Sequence, residues 1–349
     1  SELAPSLRFL RDLPSFLRNS LTPLQCERSV AASRGSREAS FIDILERAVF
    51  NLPASPYYKL MKWAAIDRHQ IKIWTDQSGI EGALETLHAA GVYLTIDEFK
   101  GRKPIVRRGF KLTTHTRDFD NPLVTRHLVS QTGASRSAGL RIYLDLEHYR
   151  QDAAYDYLFL RAHRLLDRPY AIYRPAPPYG AGIKALLSHA KLGMTARKWF
   201  TQNSWWPTRR NWKHRLITAL AVSIGRSTGF KLAIPEHVPL HDAWRVAAWL
   251  SQQKNRGQPA WLNTNAATGV RVCMAALEQG IDIAGTLFRF GGEPFTAGKA
   301  EVVAAAGAQA VCHYTMGETG RIGVACAAPA MLDDVHILTD KIALIQREK

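Results

Sequence analysis

The sequence predicts an α/β protein built on parallel βαβ units, and three observations in its second half carry that prediction. Short apolar runs recur at Tyr170–Tyr173, Ala260–Asn263, Gly285–Phe290 and Ala310–Thr315. Helix-like segments separate the last three, one ending near Gly280 and one spanning Ala297–Ala306. Strand, helix, strand, helix, strand with connections of this length is the pattern of parallel strands joined by crossover helices. Thirdly, glycine and polar residues gather in the loops after the strands, at 264–266, 291–294 and 315–319. Ligands of parallel sheets bind beyond the carboxyl ends of the strands, so these three loops are expected to meet in one crevice.

Ahead of this region the chain reads as helices with polar joints, including Phe41–Phe50 and a stretch from Ile80 to Ala90 that stops at Gly91. Residues 31–40, AASRGSREAS, are small and polar and are expected to form a loop. Lys100 to Arg117 carries seven basic residues and no acidic one. That is expected to be either a solvated surface loop or a phosphate or nucleic-acid contact. After the strand at Tyr170–Tyr173 a further helix is expected from about Ile183. No internal repeat is visible.

With 349 residues, 46% of them apolar, the chain can bury a substantial core. Its 46 basic against 30 acidic residues leave a formal charge of +16, which favours anionic partners such as ATP, a carboxylate, a pantetheine phosphate or RNA. Four scattered cysteines, Cys26, Cys273, Cys312 and Cys326, argue against a disulfide framework and for a reducing, cytoplasmic setting. The first residues carry charges through their apolar stretch, unlike a signal peptide, and the run Leu216–Ile224 is about half a membrane span.

Gly291-Gly292-Glu293-Pro294 follows a predicted strand and is expected to open a helix. Two glycines permit close approach of a ligand to the main chain, and a helix start offers free N–H groups to an anion; a plain tight turn has the same composition. The loop Tyr314–Gly320 places an aromatic ring, a flexible backbone and Glu318 together, suited to a flat base, a phosphate and a divalent cation. Upstream, the small-residue loop from Gln131 to Gly139 sits between two strand-like runs, as at a hairpin tip, with the hydroxyls of Thr132, Ser135 and Ser137 available to phosphates. It is not a GxxxxGK[ST] loop.

The ordered trio of hydroxyl-rich loop, GGEP and Tyr-x-x-x-Glu resembles the adenylate-forming superfamily of acyl-CoA synthetases, and most of all its phenylacetate-CoA ligase branch, over roughly residues 95 to 346. The resemblance implies the large N-terminal domain of such an enzyme, with parallel and mixed sheets sandwiched by helices. It divides the chain into a helical segment, 1–94, and a nucleotide- and acyl-binding core, 95–349. The family's phosphate loop falls on Gln131 to Ala138, which implies ATP contacts from Thr132, Gly133 and Ser135. Arg136 stands where a second glycine is usual and is read as a catalytic contact to the triphosphate.

By the same resemblance Gly291, Gly292, Glu293 and Pro294 border the adenine and ribose, and Tyr314, Thr315 and Met316 contact the nucleotide. Glu318 becomes the magnesium ligand, while Gly317 replaces the hydroxyl that touches the α-phosphate. Tyr179 and Gly180 of PPYGAGI, and Thr264 of TNAA, resemble acyl-pocket turns. The implied activity is attack of a carboxylate on ATP, then transfer of the acyl group to CoA or a carrier thiol. Family members bring a lysine from a small C-terminal domain, which is expected to be missing here, so the isolated chain is expected to turn over slowly or not at all. DVHILTDKIALIQ, 334–346, resembles the strand that precedes the ribose-binding Asp.

Two other readings stay open: an acyl-protein synthetase-like partner that carries the acyl group on a cysteine, and a basic protein- or nucleic-acid-binding module on a degenerate fold. The second rests on Trp199, Phe200, Trp205, Trp206 and Trp212 interleaved with basic residues from Arg197 to Arg215. An oligomer or a partner protein is compatible with each. Zinc is not expected, because Cys312, His313, Cys326 and His336 lack paired spacing and neighbours on a strand point to opposite faces.

Overall fold

Strands buried on both faces read as continuous apolar runs, and the runs named above lie side by side in one sheet. The computed structural model describes residues 3–131, 141–204, 212–317 and 319–347. By contact the chain divides into two units, Ser1–Val30 with Thr125–Leu338, and Ala31–Val124 with Thr339–Lys349.

The first unit holds an eight-stranded sheet in the order Val335–Ile337, Gly320–Ala325, Gln309–Met316, Leu287–Gly291, Trp261–Thr264, Tyr170–Tyr173, Lys198–Thr201, Pro235–His237. The strands from Gln309–Met316 to Pro235–His237 are mutually parallel, and Gly320–Ala325 and Val335–Ile337 extend the sheet antiparallel. The fold is therefore mixed α/β with a mostly parallel sheet flanked by helices. The chain runs outward from Tyr170–Tyr173 through two strands, then returns to Trp261–Thr264 and builds the other way. The order thus reverses between these two neighbours, the place where such sheets open a crevice.

Side chains alternate between two cores. Tyr170, Ile172, Trp199, Trp261 and Leu287 join the helices Leu3–Arg18, Leu146–Ala162, Gly180–Ala190 and Trp212–Ser227 on one face. Ala171, Tyr173, Phe200, Leu262, Phe288 and Phe290 join Trp244–Asn255, Ala266–Glu278 and Ala297–Ala305 on the other. Among the described residues no helix is long and apolar enough to cross a membrane.

The second unit has its own core of Leu60, Ile71, Leu87 and Ile105. Its helical segment Arg68–Ala89 is divided at Gly79, at φ +70°, so the helix expected from Ile80 does start there; the part before it, opened by a reciprocal capping box of Asp67 and Gln70, is absent from the sequence reading. Residues 31–40, expected as a loop, are instead shared by the helices Pro23–Gly35 and Arg37–Leu45: Ala, Arg and Glu are good helix formers and no proline interrupts them. The basic stretch 100–117 is likewise not a plain loop but contains the hairpin Ile105–Arg107/Phe110–Leu112. Arg107 donates to Glu98 at 2.8 Å and stacks on Tyr93, and Arg102 and Lys103 pair with Asp97. The strand expected over 334–346 is only Val335–Ile337; Leu338 N–H still donates to Ile322 O, and no strand pairing follows it among the described residues.

A charged cluster is buried on the first face. Asp156 of the helix Leu146–Ala162 accepts from Arg289 and Arg321, and Arg289 also donates to His313 Nε2 at 2.9 Å and reaches His189 Nε2 at 3.1 Å. Burial opposes ionisation of Asp156, but the two guanidinium groups outweigh it and hold the carboxyl well below the usual range. Burial, aided by the arginines, pushes His189 down to about 3 and His313 well below its ordinary value, so both rings are neutral. As pH falls below about 6.5, the unfolded histidines take up protons that the folded ones refuse. Stability is therefore expected to drop with a slope approaching about 1.4 kcal/mol per pH unit for each ring. Urea unfolding at neutral and mildly acid pH checks this, and a flat midpoint across that range would mean that the rings titrate as if solvated.

Candidate active site

At the carboxyl edge, the strand Tyr170–Tyr173 ends on Arg174, whose side chain turns toward the neighbouring strand ends. Its Nε donates to Asn263 Oδ1 at 2.9 Å, Nη2 to the Thr264 carbonyl at 2.7 Å, and Nη1 to Gly291 O at 3.3 Å and to Asn265 Oδ1. These acceptors come from the ends of two strands, Trp261–Thr264 and Leu287–Gly291, and from Asn265 directly after the first, and are all neutral oxygens. Burial, with Arg289 as a like charge, lowers its pKa to about 10, so it stays cationic at neutral pH.

The loops named from the sequence meet at this guanidinium. A β-carbon on Gly291 would lie 3.4 Å from Arg174 Nη2 and 3.5 Å from Thr315 Oγ1, ordinary contact distances. The glycine therefore relieves no clash; it leaves space open between a cation and a hydroxyl. Gly292, at φ +86°, takes a backbone conformation that L side chains avoid, and its own missing β-carbon faces Asn265. The pairing of His313 with Gly291 sets Tyr314–Met316 beside GGEP, and the register shift at Tyr314/Thr315 re-aims the following side chains. Tyr314 is 48% exposed and Met316 45%, so both present surface at this edge.

GGEP does not itself open a helix: Ala297–Ala305 begins after Thr296, and Glu293 works elsewhere. Asn265 is the N-cap of Ala266–Glu278 but makes no side-chain cap bond, its oxygen being taken by Arg174. Glu293 Oε2 supplies the missing acceptor to Ala267 N at 2.8 Å, adding negative charge at the positive end of that helix. Pro294 offers its carbonyl to Lys299.

Thr264, read as part of a pocket-lining turn, is instead the last residue of its strand, fully buried, with its hydroxyl donating to Tyr173 O at 2.9 Å. Tyr179 and Gly180 are the N-cap and first residue of Gly180–Ala190, which starts three residues ahead of the expected Ile183. Both line a cavity of roughly 700 Å³. The strands Leu128–Gln131 and Arg141–Leu144 pair antiparallel as expected of a hairpin. Thr132, Gly133, Ser135 and Arg136 of its loop, and Glu318, lie outside the described residues. So do Trp205, Trp206, Arg209 and Arg210 of the basic aromatic segment, in which Trp199 and Phe200 are core residues and Trp212 is exposed.

Cys312 belongs to one core, while its neighbour His313 packs edge-on to Phe159 in the other. Among the described residues no three His, Cys, Asp or Glu side chains are grouped to hold a metal ion. Cys26, Cys273 and Cys312 are buried, and burial pushes their thiols up to about 11, 12 and 11, far from the reactive thiolate. Arg174 is absent from the sequence reading. Its only local signal is a cation placed directly after the apolar YAIY run.

No protein-family model and no curated protein matches the chain. Among solved structures, 2-hydroxyisobutyryl-CoA ligase in an open conformation with 2-HIB-AMP and CoA is similar, with TM-score 0.47 and 14% identity over 86% of this chain and 52% of that one. The same ligase in its thioesterification state gives TM-score 0.47 and 14% identity, over 84% and 54%. A luciferase-like enzyme from the nonluminescent Zophobas morio mealworm gives 0.30 and 10%, over 70% and 49%. The chain spans about half the length of these structures.

Glu293→Ala is expected to remove the borrowed helix cap and lower stability by about 1 kcal/mol, with Glu293→Gln losing less because its amide oxygen still accepts. Urea unfolding of both variants measures this. Equal stability of Glu293→Ala and the parent would show that the cap contributes nothing.

Proposed function

We propose that this chain is the nucleotide- and acyl-binding part of an adenylate-forming ligase, activating a carboxylic acid with ATP and passing the acyl group to CoA or a carrier thiol. The observation that carries the reading is the convergence of the Asn265, Gly291–Pro294 and Tyr314–Gly317 loops on a charged Arg174 where the strand order reverses. Sites built to receive an anion beside a flat ring need these parts: a fixed cation, backbone without side chains, and an exposed aromatic.

In the proposed reaction a carboxylate oxygen attacks the α-phosphorus of ATP, and the bond to the leaving pyrophosphate breaks with its electron pair on oxygen. Arg174 is hydrogen-bonded to neutral oxygens alone, with Glu293 acting on it only through space, so its charge can stabilise charge growing at the phosphate. The open space at Gly291 lets a nucleotide approach the Thr315 hydroxyl, and the exposed Tyr314 ring offers a stacking face. By the motif resemblance, Arg136 with the Thr132, Gly133 and Ser135 loop takes the triphosphate, and Glu318 takes magnesium, which would neutralise the phosphate oxygens. The phenylacetate-CoA ligase branch, a cytoplasmic setting and the division into a helical segment and a core belong to the same proposal. An acyl-cysteine route would fall on Cys326, the one cysteine of the four that is not buried.

Calorimetric titration with MgATP is expected to give saturable binding that a Tyr314→Ala, Glu318→Ala double variant loses. Gly291→Ala, which meets no steric obstacle, is expected to fold normally and bind roughly ten-fold more weakly, about 1.4 kcal/mol, because the methyl fills the gap. Unchanged binding in both variants would put any nucleotide elsewhere.

A further inference from the structure

The cavity beside Tyr179 is walled by elements of the first unit: the helix Leu3–Arg18, the hairpin strands, the Pro177–Tyr179 loop, the start of the helix Gly180–Ala190 and the helix Trp212–Ser227. Leu7, Leu10, Leu128, Ile183, Leu216 and Ile217 are among the apolar residues that line it. Its roughly 700 Å³ falls within the range of about 300–1,000 Å³ usual for pockets of small organic ligands. Two of the wall hydroxyls are bonded to the main chain: Ser130 Oγ donates to Pro178 O at 3.1 Å, and Thr218 Oγ1 to His214 O at 2.8 Å; Ser6, Tyr179, Lys213 and His214 are the other polar residues of the wall. The apolar wall is itself left in water, with Leu7 58% exposed, Leu216 51% and Leu220 41%.

Leu216 and Leu220 stand one helical turn apart on the same stripe, with Trp212 a turn before them, and all three line the cavity. A concave surface made mainly of apolar side chains recognises hydrocarbon by area, and the few polar residues at its wall suit a ligand with one polar end. The loop that lines the cavity begins at Arg174, so the same short segment reaches the candidate nucleotide site at one end and the apolar chamber at the other.

From this we infer that the cavity takes the aliphatic chain of a medium-length monocarboxylic acid, and that the substrate class is a saturated or lightly unsaturated fatty acid rather than a small hydroxy acid or an amino acid. This rests on the acid-activating reading for its catalytic meaning, and on the cavity alone for binding. A membrane surface would also cover exposed leucines. The space, however, is concave, with the hairpin and the proline loop in its wall as well as helices, whereas a lipid surface is met by the apolar face of a helix lying flat on it.

The experiment is calorimetry of straight-chain carboxylates from about four to about twelve carbons, without nucleotide and below their micelle-forming concentrations. Each methylene moved into the cavity is worth about 0.8 kcal/mol, so affinity is expected to rise about four-fold per carbon and then level off once the chamber is filled. Leu216→Arg, at a half-exposed position that tolerates charge, is expected to abolish the chain-length dependence while leaving MgATP binding unchanged. Leu220→Trp is expected to bring the plateau to shorter chains. Affinity independent of chain length in the parent, or the same slope in Leu216→Arg, overturns the inference. So does binding to phosphatidylglycerol vesicles that Leu216→Arg abolishes, if no soluble carboxylate binds. Chain-length-dependent binding in a protein that ignores MgATP keeps the cavity assignment and removes the ligase reading.

Discussion

Asp156, ionised in the core between Arg289 and Arg321, is the interaction on which the rest of the first unit's arrangement depends. A carboxylate out of water is costly unless its charge is met in place, and here the two cations come from strands that are not neighbours in the sheet. The pair therefore fixes where the helix Leu146–Ala162 lies across those strands more sharply than leucine packing does, because apolar contacts can slide and a charge cannot leave its partner. His189 and His313 complete the shell as neutral rings, so that Arg289 is surrounded without adding further positive charge.

The charge pattern continues to the edge of the sheet. Asn263, Arg174 and Arg289 share the face that carries Asp156, and Arg289 is a like charge to Arg174. The core cluster spends its carboxylate on Arg289 and Arg321, and Arg174 is left with carbonyl and amide oxygens. Those partners orient a guanidinium firmly without neutralising it. The two arginines on this face thus differ in their partners, Arg289 meeting a carboxylate and Arg174 only neutral oxygens.

Much of this sheet was readable in the chain. Tyr170–Tyr173, Trp261–Thr264, Leu287–Gly291 and Gln309–Met316 announce themselves because central strands need apolar residues on both faces, and their boundaries shift by only a residue or two. Lys198–Thr201 and Pro235–His237 lie toward one edge, are short, and carry Lys198, Glu236 and His237, so no apolar run marks them. The convergence of the three loops follows from topology alone, but Arg174 does not: its acceptors are scattered over positions 263 to 291, and nothing in the local sequence YAIYRPAP says that a cation there will be bonded to four oxygens. Residues 31–40 misled for the opposite reason, since small and polar describes turns and exposed helices equally well when neither proline nor paired glycine is present.

The alternation within Leu287–Gly291 has a consequence for how this protein can change over time. Leu287 and Arg289 serve the charged face, and Phe288 and Phe290 the purely apolar one. A single residue gained or lost inside the strand would carry Arg289 into a pocket of phenylalanine and leave Phe290 facing a carboxylate, so the segment cannot vary in length even where it tolerates substitution. Insertions are confined to the connecting loops. The strand thus acts as a ruler, holding a constant distance between the charged interior and the glycines at its end while the surrounding connections remain free to diverge.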